Sequence, residues 1–112
     1  TVIGTVDTTD ATLATALSVT IPSGRAILFV ADVAGKNASG SAVAGYTLSG
    51  VVRNVSGTVS FSGGVMKSTI AEDVTAWDAN AAFGANSFDV TVVGAAATNI
   101  TWVVTSRMTF IG

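Results

Sequence analysis

The chain has 112 residues, neither cysteine nor histidine, and five basic and seven acidic side chains that leave a net charge of −2. That length supports one domain burying roughly two thirds of its unfolded surface. The missing cysteines exclude disulfide staples and thiolate metal sites, and the missing histidines remove the commonest general base and zinc ligand.

The opening TVIGTVDTTD has no basic segment followed by an apolar one, so no signal peptide is visible. Its apolar residues Val2, Ile3 and Val6 surround Gly4 and precede a polar DTTD turn, a stretch too short to form a core alone. Two outcomes are open for residues 1–11: an arm that docks on a partner, or an edge strand of the domain itself. Leu13, Leu17, Val19 and Ile21 then share one parity until Pro22, Ser23 and Gly24 break the strand. RAILFVADV, Arg25 to Val33, is apolar at nearly every position, as a strand covered on both faces would be.

KNASGSAVAG, Lys36 to Gly45, has the weakest pattern in the chain and is expected to be a long loop. Tyr46 to Val55 alternates as a strand, Asn54 to Gly57 carries turn chemistry, and Thr58 to Phe61 completes a hairpin with Val59 and Phe61 on one face. Gly63 and Gly64 suggest another turn before Val65 to Ala71 resumes. Glu72 to Asn80 suits a short helical turn or an irregular corner, and Ala79 to Phe83 suits a short strand. The charge-free run from Val90 to Ser106 is interrupted by Thr91, Gly94, Thr98, Asn99, Thr101 and Thr105, so it reads as strands and no membrane span is expected. Phe88, Val90 and Val92 share a face, and Ile100, Trp102, Val104, Met108 and Phe110 carry an inward parity to the end. The expected fold is all-β: a single β-sandwich over residues 1–112, jelly-roll-like, with about eight strands. Its expected core includes Leu28, Phe61, Phe88, Val90, Trp102 and Val104.

Few residues suggest chemistry. Glu72, Asp73 and Asp78 form the one acidic cluster, which fits capping of a turn better than a glycosidase pair or a calcium loop. Asp7 and Asp10 read as caps. The Asn-X-Ser/Thr triplets at Asn37, Asn54 and Asn99 matter only in a secreted eukaryotic chain, and Gly63-Gly64 lacks the spacing of a phosphate loop. Trp77 and Trp102 are expected in the core, leaving Tyr46, beside the small-residue stretch, as the candidate exposed contact. No catalytic residue, metal or cofactor is expected. Arg25, Arg53, Arg107, Lys36 and Lys67 are scattered singly, so nucleic acid is not an expected partner. Charged residues make up 11% of the chain and mean hydropathy is +0.63. A surface so poor in charge, against about 25% in a typical domain, suits either an ordinary small domain rich in Ala, Val and Gly or broad contacts with neighbouring chains.

IAEDVTAWDAN, Ile70 to Asn80, and NITWVVTSRMTF, Asn99 to Phe110, resemble an all-β module of tailed-bacteriophage virion proteins. In that group an acidic AED-type corner with a downstream Trp-Asp precedes a closing strand like NITWxVTxR. Thr8 to Ile21, followed by Pro22 and RAILFVADVAGK, resembles the module's opening strands and AGYTLSGVVRNVSGTVSFSGG its central hairpin, so the likeness spans about Thr8 to the C-terminus. Such modules often end longer tail or fibre polypeptides. A free-standing β-domain of this size is similar in role to capsid decoration or cement proteins, commonly trimers. The resemblance therefore implies a virion protein assembled in the bacterial cytoplasm, first a cement subunit bound to the major capsid protein as a homotrimer. A tail or fibre component, or a carbohydrate- or receptor-binding module, is the alternative. Val2, Ile3 and Val6 of the N-terminal segment, with the surface near Tyr46 and Arg53, are the expected protein interface.

Overall fold

The computed structural model describes residues 1–112 as eight strands and no helix: β1 (Val2–Thr8), β2 (Ala14–Thr20), β3 (Ala26–Asn37), β4 (Val43–Val55), β5 (Thr58–Glu72), β6 (Asp78–Phe83), β7 (Ser87–Val93) and β8 (Ile100–Ile111). A five-stranded sheet of order β1-β8-β3-β4-β5 packs on a three-stranded sheet of order β2-β7-β6, and every pairing is antiparallel. This is a β-sandwich. The nested pairings β1–β8 and β2–β7 are those of a jelly roll, whereas β3, β4 and β5 stay together as a meander in the larger sheet.

Period-two alternation builds the interior. Ile27, Phe29, Ala31 and Val33 of β3, Tyr46, Leu48 and Val52 of β4, and Ile100, Trp102 and Val104 of β8 point inward to meet Phe88, Val90 and Val92 of β7. Phe29 stacks on Phe88 with ring centroids 4.2 Å apart, and Trp77 meets Trp102 edge-on at 5.8 Å. Such aromatic pairs add about 0.5–1.5 kcal/mol beyond their burial. Gly35 sits opposite Trp102 in the β3–β8 register, and a Cβ there would come within 2.6 Å of the indole ring. The bare glycine backbone is what lets that indole lie flat against β3.

The N-terminal segment is an edge strand and not a free arm. Val2 to Thr8 pairs with Ser106 to Ile100 throughout, and a Cβ on Gly4 would meet the Ala16 carbonyl oxygen at 2.2 Å, so β1 lies tight against β2. Hydrogen bonding to β8 supplies the partner that the short apolar segment lacks by itself.

Two loop assignments change as well, and one holds. The β3–β4 ladder persists to Lys36 opposite Val43, which shrinks the expected long loop to a turn. The Asn37 side chain closes it, accepting from Ala42 N at 3.2 Å and donating to Ser41 Oγ at 3.0 Å. Gly63 and Gly64 lie within β5, where Ser62 pairs with Val51 and Met66 with Ser49; the residues between form a bulge, not a turn. The hairpin at Ser56 and Gly57 does turn, both with positive φ (51° and 89°), the geometry of a two-residue type I′ connection.

Leu28 is 46% exposed, against the expected core position. It alternates with Ile27 and Phe29, both fully buried, so it must emerge on the opposite face of the same strand. Leu13 lies before β2 and Phe110 next to the end of β8, and both are exposed.

Candidate functional site

The acidic residues are structural fasteners. Tyr46 Oη donates to Glu72 Oε2 at 2.6 Å and approaches the Trp77 carbonyl oxygen at 3.1 Å, tying β4 to the end of β5 and to the corner before β6. Asp73 accepts from Val43 N through its carboxylate at 3.0 Å. Asp78 pairs with Lys67, whose ammonium also lies 5.6 Å from the Tyr46 ring centre, so β5 and β6 are joined across the sandwich. Burial raises the Tyr46 phenol above its ordinary pKa, helped by the hydrogen bond to Glu72 and the charges of Glu72 and Asp78. Partial burial works against ionisation of Asp78, but hydrogen bonds from Lys67, Asn80 and Ala79 N and the Lys67 charge outweigh it and hold the carboxyl low. Asp10 is also held low, first by the Thr12 backbone N–H that it accepts at 2.8 Å. No three acidic side chains gather in a geometry that could hold a metal ion.

Tyr46 is 1% exposed and so cannot serve as a surface contact. Its inward parity between Ala44 and Leu48 places the ring in the core, with only the hydroxyl spent on polar partners. Val2 and Val6 are half-buried and pack against the core, Ile3 projects outward at 66% exposure, and Arg53 is exposed at one end of the larger sheet. Structure therefore separates the expected interface residues and does not bring them together.

The feature that unites exposed residues is the outer face of the five-stranded sheet. Eight of the eleven exposed large hydrophobics fall on it by register: Ile3, Leu28, Val43, Val55, Met66, Ile70, Val103 and Ile111. Thr5, Val103, Ala34 and Gly45 form one cross-strand row, and Ile70 approaches the Gly45 position at 3.8 Å. A shallow depression of about 300 Å³ opens there between Val43, Val103, Ala34 and Lys36. Antiparallel sheets with one solvated face ordinarily place polar residues outward. Here the smaller sheet covers the inner face alone, and the outward positions of β3 are Ala26, Leu28, Val30, Asp32, Ala34 and Lys36, four of the six apolar. The pattern of RAILFVADV carried this signal: a strand apolar on both sides asks for cover on both.

No family model matches the sequence, and no match was found among curated proteins. Among solved structures the chain is similar to part of the tailspike protein gp49 of Acinetobacter baumannii bacteriophage Fri1, a capsular polysaccharide depolymerase. The TM-score is 0.46 at 11% identity, over 97% of this chain and 19% of that one.

Proposed function

We propose that this chain is a structural module of a tailed-bacteriophage virion, within its tail or fibre assembly, and that it works by laying the outer face of the five-stranded sheet on another virion protein. The observation that carries the docking is β3. Its sequence is that of a strand covered twice, and the chain covers it once. The rest of the face is consistent with a protein contact, because apolar side chains alternate with Thr and Ser, and of its five charges Asp7, Lys36 and Arg53 stand at its ends. The molecule measures 44 × 22 × 22 Å, so its broad side offers an area on the order of the ~800 Å² per partner that stable interfaces use. The virion context rests on the resemblance of IAEDVTAWDAN and NITWVVTSRMTF to phage virion modules.

Two measurements test the reading. Leu28→Lys with Val103→Lys places ammonium groups in the middle of the face, and the variant should fold normally but fail to enter particles. Electron microscopy of particles labelled against this chain should mark the tail or its fibres. Label spread over the head would assign the chain to the shell as a cement subunit instead.

A further inference from the structure

The larger sheet has two poles. Ala26, Arg53 and Ile111 lie side by side at one, and Lys36, Val43 and Thr101 at the other. Charge is sorted along this axis. Asp7, Glu72, Asp73 and Asp78 lie on strand ends or corners at the second pole, with Asp10 in the adjoining connection, against Lys36 and the Asp78-bound Lys67. Arg25 and Arg53 lie at the other pole and Arg107 nearer mid-sheet beside Asp32, with Asp89 the one acidic side chain towards the basic end.

Each pole is also concave. At the basic one, Arg25, Arg53, Ser23, Ser56 and Ile111 line a cleft of about 420 Å³. Asn54 fixes its floor: its side chain donates to the Ile21 carbonyl at 2.7 Å and accepts from Gly57 N at 2.9 Å. The molecule's one ion pair joins Lys67 to Asp78, so neither Arg25 nor Arg53 is held in an ion pair. At the acidic pole a second cleft, about 290 Å³, is lined by Asp7, Thr9, Asn99 and Thr101.

We propose that copies of this chain associate head to tail, the Arg25–Arg53 cleft of one receiving the Asp7 end of the next. A second copy is the occupant because the same chain carries both complementary surfaces, at opposite ends of its long axis. Such a contact is heterologous, so with no closing rotation it propagates as a line of domains. Strands of 12 to 15 residues at about 3.3 Å per residue run along that axis, which sets a repeat near its 44 Å length. This contact uses the poles and meets the outer sheet face only at its ends, around Arg53, Ile111 and Thr101, so charge changes at the poles and lysines at Leu28 and Val103 test the two contacts separately.

Sedimentation of the purified chain tests it. Average mass should rise with concentration at low salt, and raising NaCl from about 0.05 M to about 0.5 M should weaken association roughly tenfold as the screening length shrinks. Arg25→Glu with Arg53→Glu gives a chain acidic at both poles; Asp7→Lys with Thr9→Lys adds positive charge at the acidic one. Each variant alone should stay monomeric, and an equimolar mixture should associate again, because every junction then pairs opposite charges. A wild-type monomer at low salt overturns the proposal, as does a mixture of folded variants that fails to associate. Association that survives Arg25→Glu/Arg53→Glu but is lost in Leu28→Lys would place the contact on the sheet face and also overturn it.

Discussion

The indole of Trp102 donates its Nε1 hydrogen to Thr8 Oγ1 at 3.0 Å, joining residues 94 apart in sequence. Both partners are buried, Trp102 fully, so the bond anchors the end of β1 to the centre of the core. Thr8→Val keeps the shape but removes the acceptor, leaving a buried N–H unpaired at a cost of about 1–3 kcal/mol. Urea denaturation should register that loss. Removing Thr1 to Thr8 should lower stability further, since it strips β8 of its outer partner; an unchanged melting temperature would show that β1 contributes nothing to the domain.

Gly35→Ala forces a methyl group into the face of the Trp102 ring, where the gap is 2.6 Å. Overpacking of this kind costs about 1–3 kcal/mol. Trp102 fluorescence should shift with the loss of stability as the ring is displaced, while the same change at Gly64, with open space around it, should leave the spectrum alone.

Acid should loosen the β5–β6 link. Asp78 has a folded pKa below its ordinary 3.8, so its contribution is present above that value and is lost as pH falls through the lower, folded one. Asp78→Asn should flatten the acid limb of stability against pH. At the alkaline end the sole tyrosine, Tyr46, has a folded pKa above its ordinary 10.0, so stability falls as pH rises past that value. Absorbance titration should show phenolate forming only above the range of a free tyrosine, and an ordinary titration would contradict the buried hydroxyl.

Leu28→Lys and Val103→Lys should each change stability by no more than about 0.5 kcal/mol, because both side chains already face solvent. Thermal melts check this. A large loss of stability would mean that the face is engaged within the domain itself.

Most strands were legible in the sequence because alternation is a local signal. Phe88, Val90, Val92, Trp102 and Val104 announce their burial through parity alone. What parity does not give is the number of layers. RAILFVADV was open about both of its faces, yet only the sheet order reveals that Leu28 lies on the uncovered side. Tyr46 misled for a related reason: a phenol beside glycine and alanine resembles a surface contact until Glu72 is found 26 residues away to hold its hydroxyl. Gly63 and Gly64 signalled a break in regular pairing, and whether a break becomes a turn or a bulge depends on the neighbouring strand, which here runs on past them. The apolar outer face was invisible in any single segment because it is assembled from five strands.

Cysteine protection tests the docking face most directly, since the native chain contains no thiol. Leu28→Cys and Val103→Cys place a probe on the outer face of the larger sheet, and Thr20→Cys places a control at an exposed position of the smaller one. All three should react with a maleimide in the isolated domain. In assembled particles, Cys at 28 and 103 should be protected while Cys at 20 still reacts; equal reactivity at all three positions would contradict docking through this face.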